Sequence, residues 1–209
     1  MSGIFITFEG IEGCGKSTQL DMLANWLRAN GKDVIVTREP GGTDLGEKIR
    51  NLLLDGSKSD IFSVRAEILL FEASRAQHVD EKILPAIKSG KIVLCDRFCD
   101  STIVYQGVAR TMDLHIVKFL NEFAVSECIP AMTIFPNISV AEGFRRIALE
   151  DSSRDRIEQE DESFFEKIRS GYLKLAKENT RFFMVDGSDN VEIIHEKIRN
   201  EFAKRFFKN

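Results

Sequence analysis

The 209-residue chain has little of what marks several protein classes. Its four cysteines, Cys14, Cys95, Cys99 and Cys128, show no CxxC spacing, and its three histidines lie far apart. A zinc site has no frame here, and reduced thiols are the simpler reading. The charge has no basic excess: 29 Lys and Arg stand against 33 Asp and Glu, a formal net charge of −4. That argues against a nucleic-acid partner, though a few local arginines can still bind a small anion. No apolar run approaches the roughly 18 residues that span a bilayer, and no basic leader precedes Glu9. Neither a membrane association nor a signal peptide is expected, and the expected location is cytoplasmic. Repeats, Pro/Gly/Ser-rich linkers and low-complexity tracts are also missing, so residues 1–209 are expected to form one domain.

What the chain does contain is alternation. Five short apolar runs read as buried strands: Ile4–Phe8, Val34–Thr37, Lys91–Cys95, Ala131–Phe135 and Arg181–Val185. Stretches of helical period separate them, such as Leu20, Leu23, Ala24 and Leu27 after the first. Strands that read as continuous apolar runs between helices predict an α/β fold, a five-stranded parallel sheet covered on both faces. Ser139 and Glu142 have capping-box spacing before a helix carrying Val140, Phe144 and Ile147. Leu149–Gln159 is polar, charged and poor in core residues; it reads as a solvated loop or a mobile lid.

The strongest motif is Gly10-Ile11-Glu12-Gly13-Cys14-Gly15-Lys16-Ser17, followed by Thr18. It follows the first apolar run and opens an amphipathic helix, as a phosphate-binding loop requires. Glycines let backbone N–H groups converge on a β-phosphate, and the helix N-terminus adds its dipole. Lys16 is expected on the β/γ-phosphates and the Ser17 hydroxyl on Mg²⁺, making ATP with Mg²⁺ the expected cofactor pair. A guanine-reading Asn-Lys-x-Asp element is missing, since no asparagine precedes a lysine. The third apolar run ends in Asp96-Arg97-Phe98, one acid followed by a base. This suits transfer to a second phosphate, with Asp96 near the metal or acceptor oxygen and Arg97 on the acceptor's anion. A surface ion pair at a strand end is the plainer alternative.

Further elements occur in a recognisable order. They are Phe8-Glu9-Gly10-Ile11-Glu12-Gly13, Thr37-Arg38-Glu39-Pro40-Gly41-Gly42-Thr43 and Leu70-Phe71-Glu72-Ala73-Ser74-Arg75, then Asp96-Arg97-Phe98 through Ser101-Thr102 to Tyr105-Gln106-Gly107, and Asp155-Arg156-Ile157-Glu158. Over nearly its whole length the chain resembles the bacterial thymidylate kinases. The resemblance implies transfer of the γ-phosphoryl group of MgATP to dTMP, a homodimer, and a lid at about residues 146–159. Phe71 and Arg75, four apart on one helical face, match residues that stack on thymine and donate to its O4. Thr102 and Gln106 match positions at or near the base, and Tyr105 a tyrosine where a 2′-hydroxyl would sit. Glu12 matches a carboxylate by the acceptor's 3′-hydroxyl and phosphate; Arg38 and Arg97 match acceptor-phosphate ligands. Ser101 belongs to the same acceptor-side element, Arg50 stands nearby, and a cis bond before Pro40 is a family expectation.

The chain departs from the family in its supply of catalytic arginine, which can be worth about 10³–10⁵ in rate. Some members carry it in the P-loop, where this chain has Gly13; others carry several in the lid. Here the lid reads Arg145-Arg146-Ile147-Ala148-Leu149-Glu150-Asp151-Ser152-Ser153-Arg154-Asp155-Arg156, with an apolar and acidic middle. Arg154 is the expected lid arginine, with Arg146 next and Arg156 also a candidate, while Asp155 and Glu158 are expected to organise the site or its magnesium. Two rival functions stay open: a kinase for UMP, CMP or AMP, and a nucleotide-binding regulatory or assembly protein whose lid is too acidic to catalyse.

Overall fold

A computed structural model of the chain describes residues 3–55, 62–149 and 155–207. Within them, β1 (Ile4–Phe8), β2 (Val34–Arg38), β3 (Ile92–Asp96), β4 (Met132–Asn137) and β5 (Phe182–Asp186) pair in parallel in the order β2-β3-β1-β4-β5. The five expected apolar runs are therefore the five strands: the first coincides with its run, and the others reach one or two residues further toward their carboxyl ends. Lys91, Ala131 and Arg181 lie just before their strands, while Arg38, Asp96, Asn137 and Asp186 are strand residues. Ladder hydrogen bonds join backbones and continue past the last apolar side chain.

Two-residue alternation explains both covered faces. Ile6, Phe8, Ile92, Leu94 and Ile134 pack against Leu20, Leu23 and Leu27 of α1 (Lys16–Ala29) and Ile194, Ile198 and Phe202 of α9 (Val191–Phe206). Phe5, Val93 and Cys95 face the other way, onto Val79, Ile83 and Ala86. Phe135 joins Phe165, Ile168 and Tyr172 of α8 (Glu162–Glu178) on that side. The chain leaves β1 toward β2, and every later crossover runs the opposite way. At that reversal a crevice opens over the strands' carboxyl ends. Register places Phe8 and Arg38 level with Asp96 on its rim.

The remaining elements form the walls. Helix α2 (Asp44–Leu54) is capped by Thr43, and α3 (Val64–His78) by Ser63. A π-helical turn over Val79–Ile83 leads from α3 into α4 (Leu84–Lys88), and a second over Ile103–Ala109 extends α5 (Cys99–Thr102). Its i→i+5 bonding brings consecutive residues nearer to one face than an α-helix does, and Val104, Tyr105 and Gln106 are all buried. Helix α6 (Leu114–Val125) covers α3, and α7 (Val140–Ile147) stands over the P-loop. Only half of the expected capping box forms at α7. Ser139 accepts from the Glu142 backbone N–H, while the Glu142 carboxylate turns to Arg145 and Arg146 instead.

Candidate functional site

The P-loop connects β1 to α1, and α1 begins at Lys16 without a side-chain cap on Gly15. Its first N–H groups are thus suited to an anion. Lys16 Nζ donates to the carbonyls of Gly10 at 3.2 Å and Ile11 at 2.8 Å. The Ile11 and Cys14 side chains are buried in the apolar core, so only their backbones face a ligand. Ser17 and Thr18 are exposed at the start of α1, and Ser17 Oγ donates to Asp96 Oδ2 at 2.7 Å. Asp96 Oδ1 is buried without a hydrogen-bond partner among the described residues.

Beside this loop lies a cavity of about 290 Å³. Lys16, Ser17 and Asp96 line it, and so do all nine residues expected to bind the acceptor: Glu12, Arg38, Phe71, Arg75, Arg97, Ser101, Thr102, Tyr105 and Gln106. Arg97 holds the centre with φ 66°, a left-handed conformation rare outside glycine. Its N–H donates to Phe8 O at 2.9 Å, its Nη1 to Gly10 O at 3.1 Å and its Nη2 to Glu12 Oε1 at 2.6 Å. The Tyr105 hydroxyl donates to the same carboxylate, 2.9 Å from Oε1, so one acid orders two groups. Arg38 is half exposed and paired with Glu47 at 3.0 Å. Arg50 donates to Pro40 O at 2.9 Å, and the Glu39–Pro40 bond is cis.

Arg75 is fully buried, and its partners aim it. Nε donates to Glu39 at 2.8 Å, and Nη1 to Glu72, Thr102 and Asn121 at 2.8, 2.9 and 2.8 Å. His78 in turn bonds the other Glu39 oxygen at 2.9 Å. Glu39, Glu72, His78 and Asn121 come from three chain segments, which is why reading the chain in order missed them.

Glu9 was missed as well. Its buried carboxylate accepts from Phe98 N at 2.8 Å, Ser101 Oγ at 2.6 Å and the Tyr172 hydroxyl at 2.7 Å. Burial, then the nearby Asp100 carboxylate, pushes this acid up to about 7, against the bonds from Ser101 and Tyr172 and the charge of Arg97. Folding therefore holds a proton that the unfolded chain releases above an ordinary pKa of 4.5. The resulting stabilisation is complete below that value and lost as pH rises through about 7. The separation corresponds to about 3 kcal/mol. Between pH 4.5 and 7.5, denaturant unfolding is expected to show the wild type losing up to about that much more stability than Glu9→Gln; equal losses would contradict it.

The expected lid arginines separate. Arg154 lies outside the described residues. Arg146, near the end of α7, donates Nη2 to Gly187 O at 3.0 Å and Nη1 to Gly13 O at 3.4 Å. Arg156 is 6% exposed, bonding Glu67 at 2.5 Å and Leu53 O at 2.8 Å. Gly13 has φ 71°, and a Cβ there would stand 2.5 Å from Gly143 O on α7. No side chain fits at that position without moving α7. Asp155, Ile157 and Glu158 line the cavity, and burial followed by the Asp155 charge raises the Glu158 carboxyl.

The thymidylate kinase family model matches residues 8–198. The thymidylate kinase of Halothermothrix orenii is 48% identical over 200 residues, covering 95% of both chains. That of Trichormus variabilis is 42% identical over 200 residues, again covering 95% of each. The crystal structure of thymidylate kinase from Ehrlichia chaffeensis superposes with a TM-score of 0.77 at 32% identity, covering 97% of this chain and 99% of that one.

Proposed function

The chain belongs to the thymidylate kinase family, and from that premise we propose how its own residues divide the work. The reaction is phosphorylation of dTMP to dTDP with ATP as donor. The observation that carries the assignment of roles is one cavity lined both by Lys16, Ser17 and Asp96 and by Phe71, Arg75 and Gln106, with the paired Arg97 and Glu12 on the same lining; we take the first set as its donor end and the second as its acceptor end.

At the donor end, Gly10 through Thr18 bind the ATP phosphates. Lys16 exchanges its carbonyl partners for phosphate oxygens, which removes positive charge from the loop backbone and places it on the migrating group. The residues fit Mg²⁺: Ser17 Oγ and Asp96 touch, and the orphaned Asp96 Oδ1 is an open acceptor. Among the described residues no cluster of three His, Cys, Asp or Glu could hold a metal alone, so phosphate and water would complete the shell. When bound, the ion neutralises charge between the donor phosphates.

At the acceptor end, Arg97 and Arg38 bind the dTMP phosphate, which is already a competent nucleophile and needs positioning more than base chemistry. Phe71 offers a flat apolar surface to thymine, and Arg75, aimed by Glu39 and Asn121, offers a donor to its carbonyl. Thr102, Gln106 and Ser101 complete that wall. Tyr105, fixed on Glu12, lies against the sugar and disfavours a 2′-hydroxyl. Arg154 and Arg146 serve the transferring group when residues 146–159 close over it, which also excludes water.

We assign residues 1–209 to one cytoplasmic kinase domain without a nucleic-acid partner; no described helix is long and apolar enough to cross a membrane. Presentation of dTMP, dUMP, UMP, CMP and AMP with MgATP in one coupled assay tests the acceptor, and preference for another monophosphate would overturn it.

The protein is proposed to be a homodimer. Leu69 on α3 and Ile116, Phe119 and Phe123 on the adjoining α6 are 55%, 52%, 68% and 79% exposed. An apolar face of that kind marks an interaction surface. The double substitution Phe119→Asp and Phe123→Asp is expected to give a folded monomer by sedimentation, lowering association at least about a hundredfold; an unchanged dimer would contradict this face.

A further inference from the structure

Outside the groups assigned to substrate, one buried carboxylate joins two walls of the acceptor end. Glu67 on α3 is 3% exposed. Its Oε1 accepts from Gln106 Nε2 at 2.9 Å and pairs with Arg110 Nε at 3.5 Å, while its Oε2 accepts from Arg156 Nη2 at 2.5 Å. Arg156 also binds α2, donating from Nε to Leu53 O at 2.8 Å and from its backbone to Leu54 O at 3.4 Å. Arg110 extends the tie by pairing Nη1 with Glu160 at 2.6 Å. Around Arg156, the side chains of Asp155, Ile157 and Glu158 line the cavity.

We propose that Glu67 is a positioning residue for acceptor binding, holding Gln106 with one oxygen and, through Arg156, the lid's return segment with the other. The inference rests on the acceptor reading above and deepens it. A buried carboxylate shared by opposite charges and an amide makes the network's members interdependent. Without it, Gln106 loses its acceptor and Arg156 remains a buried cation lacking its main counter-charge, an arrangement that must rearrange. Both rearrangements fall at the acceptor end. The donor end is built by β1, α1 and Asp96, none of which Glu67 touches through these bonds. A merely structural role would disturb both substrates alike; positioning disturbs one.

Steady-state kinetics on the full chain tests this with Glu67→Gln, Arg156→Gln and the pair combined. Each single substitution is expected to raise the KM for dTMP about tenfold or more, within the roughly hundredfold range of small misplacements. The KM for ATP should stay within about twofold, and the double variant should be no worse than the poorer single, because both break one linkage. A dTMP KM within about twofold of wild type, parallel rises for both substrates, or multiplying effects would overturn the proposal. Should Glu67→Gln fail to fold, Arg110→Gln tests the same tie from its more exposed end. A rise of about threefold or more confined to dTMP supports the proposal, and no rise rejects it. Wild-type turnover of dTMP in the same assay distinguishes failure of this inference from failure of the acceptor assignment.

Discussion

Replacing Lys16 with methionine is expected to lower kcat for ATP and dTMP by about 10³-fold or more while leaving the fold intact. The ammonium rests on the Gly10 and Ile11 carbonyls, 3.7 Å from Cys14 Sγ, and is only 8% exposed. It is therefore held where the P-loop turns around phosphate, with its long stem already ordered. Methionine matches much of that stem but carries no charge. The lost carbonyl contacts cost little if water reaches them, whereas charge that develops during transfer loses its fixed counter-charge. Single-turnover measurements separate this loss from binding, and thermal unfolding reports the fold. A variant retaining more than about a tenth of wild-type kcat would remove Lys16 from the catalytic set.

The second large effect is expected at Arg97. Arg97→Gln should lower kcat/KM for dTMP by roughly 30- to several-thousand-fold, the range for truncating one member of a hydrogen-bonded charge pair largely withdrawn from water. Several constraints converge on this side chain. The backbone is held at φ 66°, a conformation that costs about 1–2 kcal/mol for a residue with a Cβ. The guanidinium lies 5.1 Å from the centre of the Tyr105 ring and 2.6 Å from Glu12. Losing it leaves Glu12 without its closest cation beside the incoming dianion. Arg97→Lys preserves the charge but not the planar fork, so it should recover only a small part of the loss. If both variants bind and turn over dTMP normally, the acceptor phosphate lies elsewhere in the cavity.

The parts of this arrangement legible in the sequence are those encoded locally. The strands announced themselves because a parallel sheet buried on both faces needs unbroken apolar runs, such as Val93, Leu94 and Cys95. Lys16 and Ser17 were legible because a phosphate loop fixes its ligands within eight residues. Phe71, Arg75 and Tyr105 came with the family resemblance, and all three line the cavity. Glu9, Glu67 and Tyr172 were not legible, since a buried carboxylate or phenol is recognisable only by partners brought from far along the chain. The π-helical turn at Ile103–Ala109 was also invisible, because seven residues are too few for its period to be told from that of an α-helix. Arg156 looked like its neighbouring lid charges until burial against Glu67 distinguished it.

The facing glycines of the P-loop and α7 constrain more than shape. A Cβ on Gly13 would meet Gly143 O at 2.5 Å, and one on Gly143 would meet Glu12 O at 2.8 Å. Each residue is held to glycine by the other's backbone, although neither side supplies a functional group. This fixes an order of mutational events. A lineage could bring arginine into the loop only after α7 had withdrawn, and an α7 that withdrew first would carry Arg146 away from Gly13 and Gly187. The intermediate would lose one cation before gaining the other. Two backbones in contact thus form a historical barrier to a loop-borne arginine in this chain.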